Sequence, residues 1–75
     1  MQCMLSELRP GSTGSITALT LHGPMRRRLQ DLGFLPGAKV TVRLRGWGGG
    51  ISAYQILDSL IALRSSDAAR ILVDI

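Results

Sequence analysis

One block of sequence, residues 25–42, constrains the fold more than any other because it holds a helix pattern, a turn and a strand pattern in succession. Met25, Leu29 and Leu32 recur at the i, i+4 and i+7 spacing that places apolar side chains on one helical face. The pattern predicts a short α-helix over about residues 24–32. A helix of this length is unstable alone in water, so its apolar face must pack against a sheet.

The residues after this helix predict how it ends. Gly33 suits the left-handed position just past the last turn, and Phe34 then falls where a Schellman cap brings an apolar side chain back against Leu29. Pro36 and Gly37 suit the two central positions of a type II turn, because proline fixes φ and glycine accepts a positive φ. The chain is therefore expected to turn tightly before the next strand.

Apolar and polar residues alternate over residues 38–45, the clearest strand pattern in the chain. The face expected to pack in the core is Ala38, Val40, Val42 and Leu44. The face expected to meet solvent is Lys39, Thr41, Arg43 and Arg45. Further strands are predicted at residues 15–21, 51–57, 60–64 and 71–75. Residues 1–8 are expected to enter as a strand or a tight turn.

The connections complete the expected fold. Asp58 and Ser59 are expected to turn the chain between two strands, and Ser65 or Ser66 to cap a helical turn over about residues 66–70. About five short strands in 75 residues favour a mainly β fold, a small and strongly bent barrel that forms a single domain over residues 1–75. The expected core is Leu8, Ile16, Leu29, Leu32, Val40, Val42, Ile56, Leu63, Ala68, Ile71 and Val73.

Composition limits the class of protein. Apolar residues make up 45% of the chain and charged residues 19%, which is typical of a packed globule. No apolar run reaches the roughly 18 residues of a membrane span. The N-terminus also lacks the features of a signal peptide, so a cytoplasmic location without membrane insertion is expected. The net charge of +4 favours an acidic partner.

Catalysis is not expected, because the residues with reactive side chains are scattered. The 5 acidic residues are spread along the chain and His22 is the only histidine, so no paired carboxylates and no Ser-His-Asp arrangement is supported. The glycine-rich residues 46–50 lack the Gly-Lys-Ser/Thr of a phosphate-binding loop. Cys3 and His22 are weak candidates for a metal site, which generally needs three or four ligands. We predict no cofactor and no metal within one chain, and a metal site shared between chains stays open.

Two features suggest a surface for a binding partner. The six candidate cations are Arg26, Arg27, Arg28, Lys39, Arg43 and Arg45. The arginines lie early in the predicted helix, where the helix dipole disfavours exposed cations by about 0.3–1 kcal/mol each. They either meet an acidic partner or form a solvated face in which Arg27 pairs with Asp31, and the sequence favours neither. Trp47 either contacts a partner or packs partly on the barrel, again with equal support.

Two longer blocks resemble the ferrous iron transport protein A (FeoA) family. Residues 28–37, RLQDLGFLPG, are similar to the signature of that family, and residues 61–73, IALRSSDAARILV, to its closing motif. Residues 8–11 match in kind, so the resemblance spans nearly the whole chain. The motif positions are Leu29, Leu32, Gly33, Pro36, Gly37, Leu63, Arg64 and Ala68.

The resemblance implies an SH3-like barrel and an accessory or regulatory role in bacterial ferrous iron uptake. The implied partner is a membrane iron transporter with a cytoplasmic GTP-binding domain, and a weak homodimer stays open. One departure is the glycine-rich segment 46–50, where members of the family often carry a loop containing proline and aspartate. Metal-dependent repressors carry a similar domain at their C-terminus, but this chain has no room for their DNA-binding part.

The alternative from another class is a small basic barrel that binds nucleic acid. Few aromatic side chains are available to stack on bases, namely Phe34, Trp47 and Tyr54, and Phe34 is expected to cap the helix. No nucleic-acid partner is therefore expected. A peptide-binding SH3 module is disfavoured because the sequence lacks an aromatic-lined groove for polyproline.

Overall fold

The computed structural model describes residues 1–46 and 50–75. The strands within these residues are β1 (Gln2–Met4), β2 (Thr13–Leu19), β3 (Lys39–Leu44), β4 (Ile51–Ile56), β5 (Ser59–Arg64) and β6 (Ile71–Asp74). The helices are α1 (Pro24–Asp31) and the single turn α2 (Ser65–Ala68), with a 3₁₀ turn at Leu5–Glu7. The fold is mainly β, as predicted.

The six strands form one antiparallel sheet in the order β1-β6-β2-β3-β4-β5. Neighbouring strands lie about 4.8 Å apart, so a flat sheet of this kind would be broad and thin. The molecule instead measures 27 × 24 × 23 Å, which requires a strongly curled sheet. The prediction of a bent barrel is confirmed. The prediction of about five strands differs by β1, because residues 1–8 form both a short strand and a tight turn.

The end of α1 is the Schellman cap that the sequence predicts. Gly33 has φ +105°, and its N–H donates to the carbonyl of Gln30 at 3.0 Å. The N–H of Phe34 donates to the carbonyl of Leu29 at 2.9 Å, and the Phe34 ring is fully buried. These are the two hydrogen bonds that define the motif.

The turn that follows has the type II geometry that the sequence predicts. Gly37 has φ +92°, and the N–H of Ala38 donates to the carbonyl of Leu35 at 2.9 Å. A second Pro-Gly turn closes in the same way, because the N–H of Ser12 donates to the carbonyl of Arg9 at 3.0 Å.

The predicted inward position of Leu44 is wrong, because β3 contains an irregularity. Val42 pairs with Tyr54 but Leu44 pairs with Ala53, so the register shifts between them. Such a bulge interrupts the two-residue alternation. Leu44 is consequently 65% exposed, although Val42, two residues earlier, is buried.

Two connections differ from the sequence prediction. The hairpin turn is centred on Leu57 and Asp58, one residue before the predicted pair, because Ile56 already pairs with Ser59. Leu57 adopts φ +52°, a conformation that a leucine rarely takes, so no turn signal was visible there. Helix α2 begins at Ser65 with Arg64 as its N-cap residue, so neither Ser65 nor Ser66 is the cap.

The core lies inside the curled sheet and beneath α1 and α2. All of the expected core residues are buried except Leu32, which is half-buried on the rim. The buried apolar residues are Leu5, Leu8, Ile16, Leu19, Leu21, Leu29, Phe34, Val40, Val42, Tyr54, Ile56, Leu63, Ala68, Ile71 and Val73. No helix in the described ranges is long and apolar enough to cross a membrane.

Candidate functional site

The six candidate cations lie on two elements and differ in how freely they meet solvent. Arg27 and Arg28 are exposed on α1, and Lys39 and Arg43 are exposed on β3. Arg26 and Arg45 are half-buried, and both contact backbone carbonyls. Only the first four present their charge to solvent.

Arg26 links the start of α1 to the end of β2. Its guanidinium donates to the carbonyl of Leu19 and, at 3.4 Å, to the carbonyl of Leu21. Buried or half-buried carbonyls need such donors. This contact explains why an arginine stands at position 26, where the helix dipole disfavours a positive charge.

Arg45 makes a similar contact at the other end of β3. Its guanidinium donates to the carbonyl of Ser6 at 2.8 Å and to the carbonyl of Leu8. Arg45 thus fastens the 3₁₀ turn at Leu5–Glu7 to the sheet. The N–H of Met4 donates to the Glu7 carboxylate at 2.9 Å, which fixes the entry to the same turn.

The solvent face of β3 carries uncharged hydrogen-bond partners. Arg43 Nε donates to Gln55 Oε1 at 2.6 Å, and the hydroxyls of Thr13 and Thr41 lie 2.7 Å apart. A glutamine partner leaves the charge of the Arg43 guanidinium without a counter-ion. The strand therefore presents Lys39 and Arg43 as two positive charges on a polar surface.

The one ion pair within the described residues joins the Met1 ammonium to the Asp74 carboxylate at 2.7 Å. The ammonium hydrogen bond, reinforced by its charge, lowers the pKa of Asp74 from its ordinary value of 3.8. The Arg27–Asp31 pair considered from the sequence does not form. The exposed arginines of α1 are thus not neutralised within the part of the chain that the structure covers.

The remaining sequence candidates are dispersed. Cys3 is half-buried in β1, whereas His22 is exposed in the turn before α1. Within residues 1–46 and 50–75, no group of three or more His, Cys, Asp or Glu side chains could hold a metal ion. The Trp47 prediction lies outside the described residues.

A groove between α1 and β5 is a feature that sequence reasoning missed. Its volume is about 600 Å³. Met25 and Leu29 line it from α1, Leu32 from the C-cap position of that helix, and Leu60 and Leu63 from β5. Its polar lining is Arg28, Arg64 and Asp67. The apolar stripe of α1 was visible in the sequence, but the side of β5 that faces this helix was not.

Comparisons with known proteins decide the family. The FeoA domain family matches residues 3–75, which is nearly the whole chain. This chain belongs to the FeoA domain family. That family comprises small accessory proteins associated with ferrous iron transport and is not known for enzymes. No curated protein matches the sequence.

Solved structures of FeoA proteins share the fold. The chain is similar to a FeoA protein from Chlorobium tepidum, with 33% identity and a TM-score of 0.91 over 96% of this chain and 69% of that one. It is also similar to FeoA from Stenotrophomonas maltophilia, solved with zinc and described as a procaryotic SH3 domain protein. There the identity is 35% and the TM-score 0.82, over 95% of this chain and 88% of that one. The SH3-like barrel is therefore confirmed.

A manganese-dependent transcriptional repressor shares the fold at 24% identity, with a TM-score of 0.85. This chain covers 97% of its own length in that match but only 41% of the repressor. At this identity the match concerns the fold alone.

The residues predicted from the sequence as FeoA-like motif positions have mainly structural places in this chain. Leu29, Leu63 and Ala68 are buried, and Gly33 and Gly37 have positive φ. Four of the motif residues also line the groove, namely Leu29, Leu32, Leu63 and Arg64. The two FeoA-like blocks, far apart in sequence, thus converge on one surface.

Proposed function

We propose that this chain is a cytoplasmic accessory protein of bacterial ferrous iron uptake that binds the GTPase-containing part of a membrane iron transporter. Membership of the FeoA family supports the process. The S. maltophilia relative has been suggested to act as a ferrous iron transport activating factor. In this role the chain acts as one domain, without catalysis, a cofactor or nucleic acid.

The observation that carries the docking step is the set of exposed cations without counter-ions. Arg27 and Arg28 on α1, with Lys39 and Arg43 on β3, form no ion pair with any described residue. Positive charges left in this way attract an acidic surface and steer association. Arg26 and Arg45 instead donate to backbone carbonyls, so their charges are less free to meet a partner. Trp47 follows Arg45 closely in sequence and stays a predicted partner contact.

The nucleic-acid alternative loses support from the positions of the aromatic rings. Phe34 is 0% and Tyr54 1% exposed, so neither can stack on a base. Trp47 lies outside the described residues, and every other aromatic side chain is in the core.

The test is an amide-resolved NMR titration of this chain with the cytoplasmic GTP-binding domain of the transporter. We expect shifts at Arg27, Arg28, Lys39 and Arg43, and affinity that falls as salt screens the charges. Arg27→Glu combined with Arg43→Glu should weaken binding about tenfold or more, which corresponds to ~1.4 kcal/mol.

The matched control reverses the same amount of charge elsewhere. Arg9→Glu combined with Arg70→Glu alters two other exposed arginines and should retain most of the affinity. Equal losses of affinity in the two double variants would mean that only the net charge of the chain matters, and not the position of the arginines. Unchanged affinity in the folded Arg27/Arg43 variant would remove this surface from the proposal.

A further inference from the structure

We propose that the groove between α1 and β5 binds an extended peptide segment of a partner protein, one that carries aliphatic side chains and a carboxylate and pairs with the edge of β5. This interaction does not rest on the proposed function, since a synthetic peptide tests it without the transporter. It would add a seventh strand to the six-stranded sheet.

The pairing of β5 shows which backbone groups are open. Ile56 pairs with Ser59 across a two-residue connection, and the N–H of Ser65 donates to the carbonyl of Gly50 at 2.9 Å. Hydrogen-bonded pairs alternate along an antiparallel ladder, so odd-numbered residues of β5 bond to β4. The N–H and C=O groups of Leu60 and Ala62 therefore point away from β4. No strand of the described chain pairs with β5 on that side.

This edge has few of the features that commonly prevent strand addition, since its one charged side chain is Arg64 at the end of the strand. Proteins protect edges with proline, lysine, bulges or a covering element. Strand β5, with the sequence SLIALR, has neither proline nor lysine, and its pairing with β4 runs without a register shift. Leu60 is 65% exposed on it. A partner segment in extended conformation can thus form main-chain hydrogen bonds here, as in β-augmentation.

The other side of the groove supplies apolar contact. Met25 and Leu32 are half-buried and pack on the edge of the core, and both line the groove. With Leu60 they leave apolar surface that aliphatic side chains of an added strand would cover. Burial of such apolar surface favours binding.

The charged residues that line the groove favour a peptide with a carboxylate. Arg28 and Arg64 line the groove against a single carboxylate, Asp67, and no ion pair among the described residues neutralises either arginine. A carboxylate on the peptide would supply the second negative charge and so neutralise the groove. A second copy of the chain, with net charge +4, is less suited. A polyproline segment is also less suited, because it lacks the N–H donors that the edge can bond.

The probe is a short blocked peptide that alternates valine and threonine and carries a glutamate at each end, titrated into the full chain and followed by amide shifts. We expect shifts at Leu60, Ala62, Met25 and Leu32. A peptide with lysine in place of glutamate should bind about tenfold more weakly. A peptide N-methylated at every residue should lose binding, because neither of its edges can then pair with β5.

Variants of the chain complete the test. Ala62→Pro removes one open-edge N–H without breaking the ladder to β4, so it should abolish binding while the barrel stays folded. Arg64→Glu keeps the edge and should lower affinity for the glutamate peptide but raise it for the lysine peptide. Arg9→Glu reverses an exposed arginine outside the groove, is the control and should leave affinity nearly unchanged.

Three results would overturn the proposal. The first is an absence of groove shifts at saturating peptide in the unaltered chain. The second is equal binding of the N-methylated and unmodified peptides. The third is shifts at Leu60 and Ala62 that depend on the concentration of the chain alone, which would assign the edge to a second copy.

Discussion

Gly33 and Leu57 lie against each other where the end of α1 meets the β4–β5 turn. A Cβ atom placed on Gly33 would come within 2.9 Å of Leu57 Cδ1. Both residues have positive φ, +105° for the glycine and +52° for the leucine. The end of α1 and the β4–β5 turn therefore pack closely at Gly33 and Leu57, and both residues have a backbone conformation that is uncommon in proteins.

Replacement of Gly33 by alanine should destabilise the fold in two ways. An L-residue at this φ is strained, which is the larger effect, and the new Cβ would also push aside the end of the exposed Leu57 side chain at smaller cost. Strain of this kind costs about 1–3 kcal/mol. We expect the free energy of unfolding, measured by chemical denaturation, to fall by about that amount or more.

Gly37→Ala is the matched control for this change. Gly37 has a similar φ of +92°, but a Cβ there would meet nothing within 4 Å. It should therefore report the backbone strain alone. If both variants lose the same stability, the contact between Gly33 and Leu57 has no energetic role.

The hydrogen bonds of Arg45 predict that this arginine contributes more to the stability of the fold than the exposed Arg27 does. Arg45→Met should lower the free energy of unfolding by about 1–3 kcal/mol, because the carbonyls of Ser6 and Leu8 lose a charged donor. Arg27→Met changes an exposed side chain and should alter stability by less than about 0.5 kcal/mol. Thermal denaturation of the two variants checks this, and equal stability would contradict the structural role of Arg45.

Local sequence signals predicted the helix, its cap and the type II turn, since each depends on a few adjacent residues. Gly33, Phe34 and Gly37 occupy the predicted positions because glycine and proline restrict the backbone in known ways. The groove was not predictable in this manner. It depends on which edge of the sheet lies beside α1, and that is set by long-range strand order.

The errors have equally specific reasons. The alternation over residues 38–45 predicts a buried Leu44, and a bulge in β3 reverses this without any marker in the sequence. The place of Arg26 and Arg45 in a basic partner surface is predicted from charge alone and stays a prediction. Their bonds to backbone carbonyls of distant elements follow from tertiary packing and could not be read from spacing.

The bulge in β3 predicts unequal effects for two neighbouring threonine substitutions. Val42→Thr places a hydroxyl in the core, where Val42 is 0% exposed, and should cost about 1–3 kcal/mol. Leu44→Thr changes a side chain that is 65% exposed and should be nearly neutral. Urea denaturation of the two variants measures the difference. Similar losses at both positions would mean that Leu44 is buried and that the alternation continues.

The ion pair of Asp74 predicts a pH effect. Its pKa is lowered in the folded state by the Met1 ammonium, so its contribution to stability is complete above the ordinary pKa of 3.8 and declines as pH falls through the folded-state value. Acetylation of the Met1 amine should raise the pKa of Asp74, as followed by NMR of the side-chain carboxyl. An unchanged pKa would show that the ammonium is not its partner.

The pairing of β1 with β6 places the first and last residues side by side, with the N–H of Ile75 donating to the carbonyl of Met1 at 2.9 Å. A short glycine linker could therefore close the backbone into a ring without disturbing the sheet. Such head-to-tail cyclisation would restrict the unfolded chain of 75 residues, a gain of up to about 4 kcal/mol by loop-closure entropy. The same proximity means that sequences fused to the two ends would both leave the barrel from the same side of the molecule.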